Sequence, residues 1–304
     1  MAQPLLMRAR EKRPDLAIDV LATPAVAPVL RRMPQVNEVI ESPLVHGALQ
    51  LRERWRLGKK LRGRYAHAIV LPNTWKSALL PFFADIPLRS GYVGESRYGL
   101  LNLLYRRKHR DEPMTLHYAR LSERPGTEPA LPLPQPALRA DRTRAALTGA
   151  KFGVPPGYTV LCPGAEYGPA KRWPYFAQLA LRLESPVVLL GSAADYEACA
   201  GIRGLNLAGK TTLDEAIDLI SLADQVVSND SGLMHIAAAL GRPQVALFGS
   251  SSPEHTPPLS SAARVLWLKI ECSPCYERVC PLGHFRCMMD LTAERVLDEI
   301  RNLP

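Results

Sequence analysis

The chain has 304 residues, and 47% of them are hydrophobic, which is enough to bury one large core or two ordinary ones. Glycine and proline are scattered rather than repeated, which is typical of a globular protein and excludes a fibrous one. The apolar runs are far too short to span a bilayer, and the first residues lack the apolar stretch of a signal peptide, so a soluble, cytoplasmic protein is expected.

Positive charge is concentrated in the first half of the chain. Residues 1–150 contain 25 Lys and Arg against 13 Asp and Glu, a net charge of +12, whereas residues 151–304 contain 13 against 16, a net charge of −3. The first half is therefore expected to meet an anionic partner. Nucleic acid, an acidic membrane surface and a phosphorylated substrate are all compatible with this charge.

Short apolar runs alternate with helical patterns in the first half. Strands are predicted at 16–23, 38–43 and 67–72, and helices at 24–33 and 49–63. The basic run RRKHR at 106–110 is typical of a solvated face, although the charge of this half also favours a loop that contacts an anion.

Residues 128–140, EPALPLPQPALRA, contain four prolines and predict a semi-rigid linker. We expect a first domain at 1–135 and a second at 136–304. In the second domain, strands are predicted at 158–164, 186–192, 225–230 and 243–249. Short buried strands that alternate with helices indicate a two-domain α/β protein with parallel sheets covered by helices on both faces. Ligands of such sheets bind beyond the carboxyl ends of the strands.

The loop LCPGAEYGPAKRWP, at 161–174, follows the first of these strands. A helix is predicted next, with Pro174 in its first turn. Because a helix start exposes unpaired N–H groups and a partial positive charge, Lys171 beside it would complete a phosphate site. The alternative is an ordinary helix entry with solvated cations.

A second loop, Asn229 to Gly232, turns the chain into another predicted helix, with His235 one turn beyond Ser231. A carboxylate, a hydroxyl, backbone donors and an imidazole on one patch suit a sugar plus a phosphate. The alternatives are that Asp230 or Ser231 caps the helix and that His235 is a core residue. The serine-rich loop at 248–260 is either another phosphate contact or only a connection.

Four cysteines follow the pattern C-x2-C-x4-C-x6-C: Cys272, Cys275, Cys280 and Cys287. Four thiolates can hold zinc or an iron–sulfur cluster, but the second pair lacks the C-x2-C spacing of a zinc ribbon. We expect a compact loop with reduced thiols rather than a metal site.

Five segments together resemble one family. They are CPGAEYGPAKRWP, SNDSGLMHIAAALGRPQVALFGSSSPEHTPP, CSPCYERVCPLGHFRC, RSGYVGESRYGLLN and MTLHYARL. The chain resembles the ADP-heptose:lipopolysaccharide heptosyltransferases of glycosyltransferase family 9. The resemblance implies a GT-B architecture, in which two Rossmann-like domains face each other across a cleft. The nucleotide sugar would bind the second domain and the acceptor the first, and the last helix would pack back on the first domain.

The resemblance also implies roles for individual residues. Lys171 would contact the donor diphosphate and Asp230 the heptose hydroxyls, with His235 as a third catalytic candidate. The same pocket would be lined by Ser231 and Gly232. Adenosine would lie near Gly191, Ser192, Gly209, Lys210, Thr211 and Thr212.

The implied reaction transfers L-glycero-D-manno-heptose, with inversion, from ADP-heptose to the heptosyl-Kdo2-lipid A inner core. It requires no cofactor and no metal. The phosphates and acidic sugars of this acceptor would account for the basic first half. The resemblance further implies peripheral contact with the cytoplasmic face of the inner membrane, and no nucleic acid.

The chain departs from the family pattern at its start. Family members open with a strand and a Gly-Asp loop, whose aspartate is thought to be the general base, before the helix that here begins MAQPLLMRAR. The resemblance therefore predicts a first domain without its first strand, and a base upstream of Met1. We expect a start site placed too late rather than a degenerate paralogue.

Two rival functions remain. One is a glycosyltransferase of the same fold that uses a different sugar donor, because pocket residues alone do not exclude it. A nucleic-acid-binding protein with a cysteine-rich metal module is the other. It would need basic residues interleaved with exposed aromatic residues, or an element that reads a groove, and the sequence shows neither.

Overall fold

The computed structural model describes residues 1–45, 47–107 and 112–304. The chain divides into two compact units. The first unit contains Met1–Leu30 and Gln35–Pro134, and the second contains Arg31–Pro34 and Gln135–Pro304. The chain therefore passes into the second unit at residues 31–34 and then returns to the first, a crossing that no sequence pattern indicated.

The first unit is an α/β structure. Its strands are β1 (Asp19–Ala22), β2 (Glu38–Glu41), β3 (His67–Val70), β4 (Leu88–Tyr92) and β5 (Leu103–Tyr105). Its helices are α1 (Gln3–Lys12), α2 (Ala27–Arg31, which ends at the crossing), α3 (Leu51–Leu61), α4 (Trp75–Phe83) and α5 (Met114–Ala119). Strands β1 and β2 form one parallel sheet, and β3, β4 and β5 form another. The three strands predicted from the sequence are confirmed as β1, β2 and β3.

Two of the family-like segments meet in the core of the first unit. The Tyr92 hydroxyl donates to the carbonyl oxygen of His117 at 2.5 Å, and the two rings stack with centroids 3.9 Å apart. Arg97 is fully buried and donates to the carbonyl oxygens of Pro72 and Tyr92. These residues of RSGYVGESRYGLLN and MTLHYARL therefore satisfy buried backbone acceptors and stabilise the fold.

Of the basic run at 106–110, Arg106 and Arg107 are exposed, and the other three residues lie outside the described residues. Across the part of the chain that the structure describes, no helix combines the length and the apolar character that crossing a bilayer requires.

A six-stranded parallel sheet forms the centre of the second unit. Its strands are β6 (Thr159–Cys162), β7 (Val187–Leu189), β8 (Leu205–Asn206), β9 (Gln225–Asn229), β10 (Gln244–Phe248) and β11 (Ala263–Trp267). They lie in the order β11-β10-β9-β6-β7-β8. All four strands predicted here are confirmed, as β6, β7, β9 and β10. Strands β6, β7 and β10 are buried along their whole length, which is why they form continuous apolar runs.

The helices of the second unit are α6 (Arg142–Phe152), α7 (Phe176–Arg182), α8 (Leu213–Leu222), α9 (Gly232–Ala239), α10 (Arg286–Met289) and α11 (Ala293–Arg301). Leu161, Leu247 and other side chains on one face of the sheet pack against α7 and α11, whereas Ala246 and Phe248, on the other face, contact Met234 of α9. The buried face of α11 thus belongs to the core of the second unit, within the predicted second domain.

The prediction that Pro174 opens a helix is wrong, because α7 begins at Phe176. The preceding residues are held as a loop by Trp173. Its backbone N–H donates to the Asn229 side chain at 3.1 Å, and its indole N–H donates to the Leu291 carbonyl oxygen at 2.6 Å. These two bonds fix the chain before it can turn into the helix.

Candidate active site

Three loops converge at the carboxyl ends of the adjacent strands β6, β9 and β10. The Lys171 ammonium, from the loop after β6, donates to Asp230 Oδ2 at 2.5 Å. The Ser251 hydroxyl, from the loop after β10, donates to the same oxygen at 2.6 Å. Asp230 and Ser251 are buried, while Lys171 is partly exposed. The structure therefore brings all three sequence-predicted loops onto one carboxylate.

Asn229, which sequence reasoning missed, holds the Lys171 loop in place. It is fully buried at the end of β9, and its amide donates to the carbonyl oxygens of Pro163 (2.8 Å) and Gly164 (3.3 Å). Its side-chain oxygen accepts the Trp173 N–H. One side chain thus clamps both ends of the loop that carries Lys171. The only available signal was an asparagine directly before the candidate Asp230.

Helix α9 starts beside this carboxylate without a side-chain cap. Ser231 occupies the N-cap position, but its hydroxyl lies 3.0 Å from the Ser228 hydroxyl and accepts nothing from the helix. The alternative in which Asp230 or Ser231 is simply a cap is therefore wrong. Gly232 is exposed, so the first amides of α9 can meet a ligand.

His235 lies one turn into α9 and is partly exposed. Burial of the imidazole is the main cause that lowers its pKa below the ordinary value, Lys171 lowers it further, and Asp230 opposes the shift. The lowered pKa favours the neutral imidazole near pH 7.

The loops after β7 and β8 form the other part of this edge. The Gly209 N–H donates to the Gly191 carbonyl oxygen at 3.0 Å, which joins the two loops. The Ser192 hydroxyl and backbone N–H both donate to Asp195 Oδ2, at 2.7 and 2.9 Å. A Cβ on Gly164 would lie 2.1 Å from the Asp195 carboxyl carbon, so only glycine fits there. Asp195 was not predicted from the sequence.

The remaining adenosine candidates have different surroundings. Thr212 caps α8 through a reciprocal pair of bonds with Glu215: its hydroxyl accepts the Glu215 N–H, and the Glu215 carboxylate accepts the Thr212 N–H. Its side chain is thus already occupied by a structural role. Lys210 is exposed and Thr211 is partly exposed, next to Gly209.

The cysteine loop, residues 272–287, packs directly against the site, which the sequence did not indicate. The Tyr276 N–H donates to the Ser250 carbonyl oxygen at 2.7 Å, and the Tyr167 hydroxyl donates to the Tyr276 carbonyl oxygen at 2.5 Å. The Ala170 N–H donates to the Arg278 carbonyl oxygen at 3.0 Å. This loop therefore supports both the Lys171 loop and the serine loop.

All four cysteines of that loop line one small cavity, together with Ser250 and His284. Hydrogen bonds from backbone amides, first that of Phe285, lower the pKa of the Cys280 thiol, whereas burial raises the pKa of Cys287 to about 11. Within the described ranges, no group of three or more His, Cys, Asp or Glu residues is arranged to hold a metal ion. Reduced thiols remain our prediction.

Comparison with known proteins gives concordant matches. The family model described as glycosyltransferase family 9 (heptosyltransferase) matches residues 54–286. Lipopolysaccharide heptosyltransferase 2 of Salmonella typhimurium is 44% identical over 327 aligned residues, covering 100% of this chain and 94% of that protein. Lipooligosaccharide heptosyltransferase 2 of Haemophilus influenzae is 42% identical, covering 100% of this chain and 95% of that protein.

A solved structure agrees with these matches. The structure of Escherichia coli ADP-heptose LPS heptosyltransferase II superposes with a TM-score of 0.87 at 40% identity, covering 99% of this chain and 93% of that chain.

Proposed function

We propose, because this chain belongs to glycosyltransferase family 9, that it transfers L-glycero-D-manno-heptose from ADP-heptose to the heptosyl-Kdo2-lipid A inner core. The chain has the GT-B architecture of that family. The observation that carries the proposal is the convergence of Lys171 and Ser251 on the buried carboxylate of Asp230. A cation and the exposed start of helix α9 at one sheet edge suit the diphosphate and the sugar of such a donor.

Different residues of this cluster bind the phosphates and the sugar of the donor. Lys171 uses one ammonium hydrogen on Asp230 and has two more for the diphosphate. Both bonds to Asp230 reach Oδ2, and Oδ1 accepts no bond from a residue that the structure describes, so Oδ1 is the acceptor for a heptose hydroxyl. In an inverting displacement, Lys171 and the α9 amides stabilise the charge that develops on the departing ADP.

The adenosine end of the donor would lie along the loops after β7 and β8. Gly191, Ser192 and Gly209 are joined there by the backbone bond between the two loops. Lys210 and Thr211 are open to solvent beside them. The Thr212 side chain serves α8 instead, so we assign adenosine to the first five of these residues and not to the Thr212 hydroxyl.

The acceptor is anchored in a membrane, so we also propose peripheral contact with an anionic bilayer through α3 of the first unit. Trp55 is 48% exposed and Leu51 50% exposed on this helix. The exposed basic residues beside them are Arg52, Arg56, Lys59 and Lys60. Exposed apolar side chains flanked by cations are typical of helices that lie on acidic lipid surfaces.

A transfer assay tests the catalytic proposal. The purified chain is mixed with ADP-heptose and heptosyl-Kdo2-lipid A, and both ADP release and the mass of the glycolipid are measured. Any product should carry the mass of one added heptose, and Lys171→Ala should form much less of it. ADP release that depends on a different ADP-sugar instead would support the rival with another donor.

Vesicle sedimentation tests the membrane contact. We expect binding to phosphatidylglycerol vesicles, weak binding to phosphatidylcholine vesicles, and loss of binding in Trp55→Ser. Leu181→Ser is the matched control, because Leu181 is 67% exposed on α7 of the second unit. Equal losses in both variants, or no preference for anionic lipid, would contradict the role of α3.

A further inference from the structure

The donor site described above does not balance the charge of its ligand. The two phosphates of a nucleotide sugar are both anionic, yet the Lys171 ammonium is already paired with the Asp230 carboxylate. His235 is neutral near pH 7, because burial lowers its pKa. A further positively charged group at this edge would therefore strengthen diphosphate binding.

Arg278, in the cysteine loop, packs on the same aromatic ring as Lys171. Its guanidinium carbon is 5.3 Å from the centre of the Tyr167 ring, and the Lys171 ammonium is 4.9 Å from the centre of the same ring. Two cations from different loops thus share one aromatic side chain, and each is favoured there by the negative face of the ring.

The backbone around Arg278 is fixed to the Lys171 loop. Its carbonyl oxygen accepts the Ala170 N–H, and a Cβ on Gly168 would lie only 2.5 Å from that oxygen. Gly168 also has φ +146°, which side-chain-bearing residues rarely adopt. The glycine therefore permits a close approach that sets residue 278 next to Lys171.

The Arg278 guanidinium is available for a ligand. The side chain is exposed, and it forms no ion pair with a carboxylate of any residue that the structure describes. By contrast, nearby Arg286 pairs with Asp290 at 2.9 Å. A planar guanidinium held against a ring can donate two parallel hydrogen bonds to a phosphate, which a lysine cannot do.

We propose that Arg278 is a further binding residue for the donor, and that it contacts the diphosphate together with Lys171. This inference rests on the proposed function, since it assumes a nucleoside diphosphate at the sheet edge. It gives the cysteine loop a role in substrate binding: the loop carries a cation to the site.

Calorimetry of the full chain with ADP, AMP and adenosine tests this role. We expect Arg278→Gln to weaken ADP binding about tenfold, as expected for the loss of a charge-assisted hydrogen bond. The loss should be smaller for AMP and absent for adenosine. Arg278→Lys should recover part of the ADP affinity, because it restores the charge without the paired geometry.

Arg264→Gln is the matched control. Arg264 is also exposed and forms no ion pair with a described residue, but it lies near the start of β11, away from the carboxyl edge. Its ADP affinity should equal that of the unmodified chain. Thermal unfolding should show the same midpoint for both glutamine variants, because both side chains are exposed.

Three outcomes would overturn the inference. If the unmodified chain binds ADP and Arg278→Gln binds it equally well, Arg278 does not contact the diphosphate, and the proposed function stands. If adenosine affinity falls as much as ADP affinity, Arg278 only supports the loop. If the unmodified chain binds no ADP, the proposed function fails together with the inference.

Discussion

Lys171 and Asp230 form an ion pair whose two members are assigned to different parts of one donor. We expect Lys171→Ala to weaken ADP binding by roughly 1.5 to 3 kcal/mol, the range for a hydrogen bond to a charged group. Titration calorimetry with ADP measures this loss. Unchanged ADP affinity would remove Lys171 from the site.

Asp230→Asn separates the sugar from the phosphate. An asparagine keeps an acceptor for Lys171 but is a weaker partner for heptose hydroxyls, so affinity for ADP-heptose should fall more than affinity for ADP. The ratio of the two losses is the relevant measurement. Equal losses would mean that Asp230 acts by holding Lys171 and Ser251 in place.

The cysteines should differ sharply in reactivity. Backbone amides lower the pKa of Cys280, whereas burial raises the pKa of Cys199 to about 11 and also raises that of Cys162. With limiting iodoacetamide at pH 7, Cys280 should be alkylated first, because the thiolate is the nucleophile. Mass spectrometry of peptides identifies the site. A protected Cys280, with about one zinc per chain, would contradict the expectation of reduced thiols.

Some residues of the site could be assigned from the sequence and others could not, for physical reasons. Lys171 and Asp230 could be assigned to one region because the carboxyl ends of parallel strands share an edge. Asn229 and Arg278 could not, since their partners are remote along the chain: Asn229 bonds Pro163, 66 residues earlier. Pro174 was misplaced because its local preference for a helix start gave way to the bonds that hold Trp173 in the loop.

At the scale of elements, helices α6 and α8 are joined by a buried network around Asp218, which is 1% exposed. Its carboxylate binds Arg32 at 2.7 Å and Arg144 at 3.1 Å, and it accepts the Thr148 hydroxyl at 3.2 Å. Because Arg32 is also buried, removing the negative charge leaves a cation poorly compensated in the interior.

We therefore expect Asp218→Asn to lower the free energy of unfolding by about 3 kcal/mol, as found for broken buried ion pairs. Urea unfolding measures the change. Asp214→Asn serves as the control: Asp214 also binds Arg32, at 2.8 Å, but its side chain is 37% exposed, so at most about 1 kcal/mol should be lost. Equal effects in the two variants would argue against burial as the cause.

The central strands of the second unit's sheet were easier to predict than its edge strands. β6, β7, β9 and β10 are short apolar runs that end in small or polar residues, and this shortness, rather than any alternation, distinguishes them from buried helices. By contrast, β8 consists only of Leu205–Asn206, which is too short to produce a pattern. Strand β11 has exposed residues at its centre because it is an edge strand.

At the scale of the whole molecule, the alternation of strands and helices was sufficient to predict an α/β protein, but not the passage of residues 31–34 into the second unit. The predicted linker contains four prolines, which made a single division plausible. The amino-acid composition does not show that these four residues belong to the second unit, because they are placed there by the binding of Arg32 to Asp214 and Asp218.

Residues 135–304 expressed alone should bind ADP as the full chain does, because every proposed donor contact lies after residue 150. They should also unfold at a lower temperature, since Arg32 is absent and Asp218 loses a buried partner. Calorimetry and thermal unfolding of this fragment check the two parts. A folded fragment without ADP affinity would show that the first unit contributes to donor binding.

The crossing at residues 31–34 also constrains synthesis. Arg32 precedes its partners Asp214 and Asp218 by 182 and 186 residues. At ribosomal rates, roughly 10 to 40 s separate their appearance. During that interval residues 35–134 can fold, while Arg32 stays exposed to water because its two carboxylate partners have not yet been synthesised. Arg32 can bind Asp214 and Asp218 only after helix α8 has been synthesised, and only then is the second unit complete. A nascent chain stalled before residue 214 therefore lacks the carboxylates that would bind Arg32.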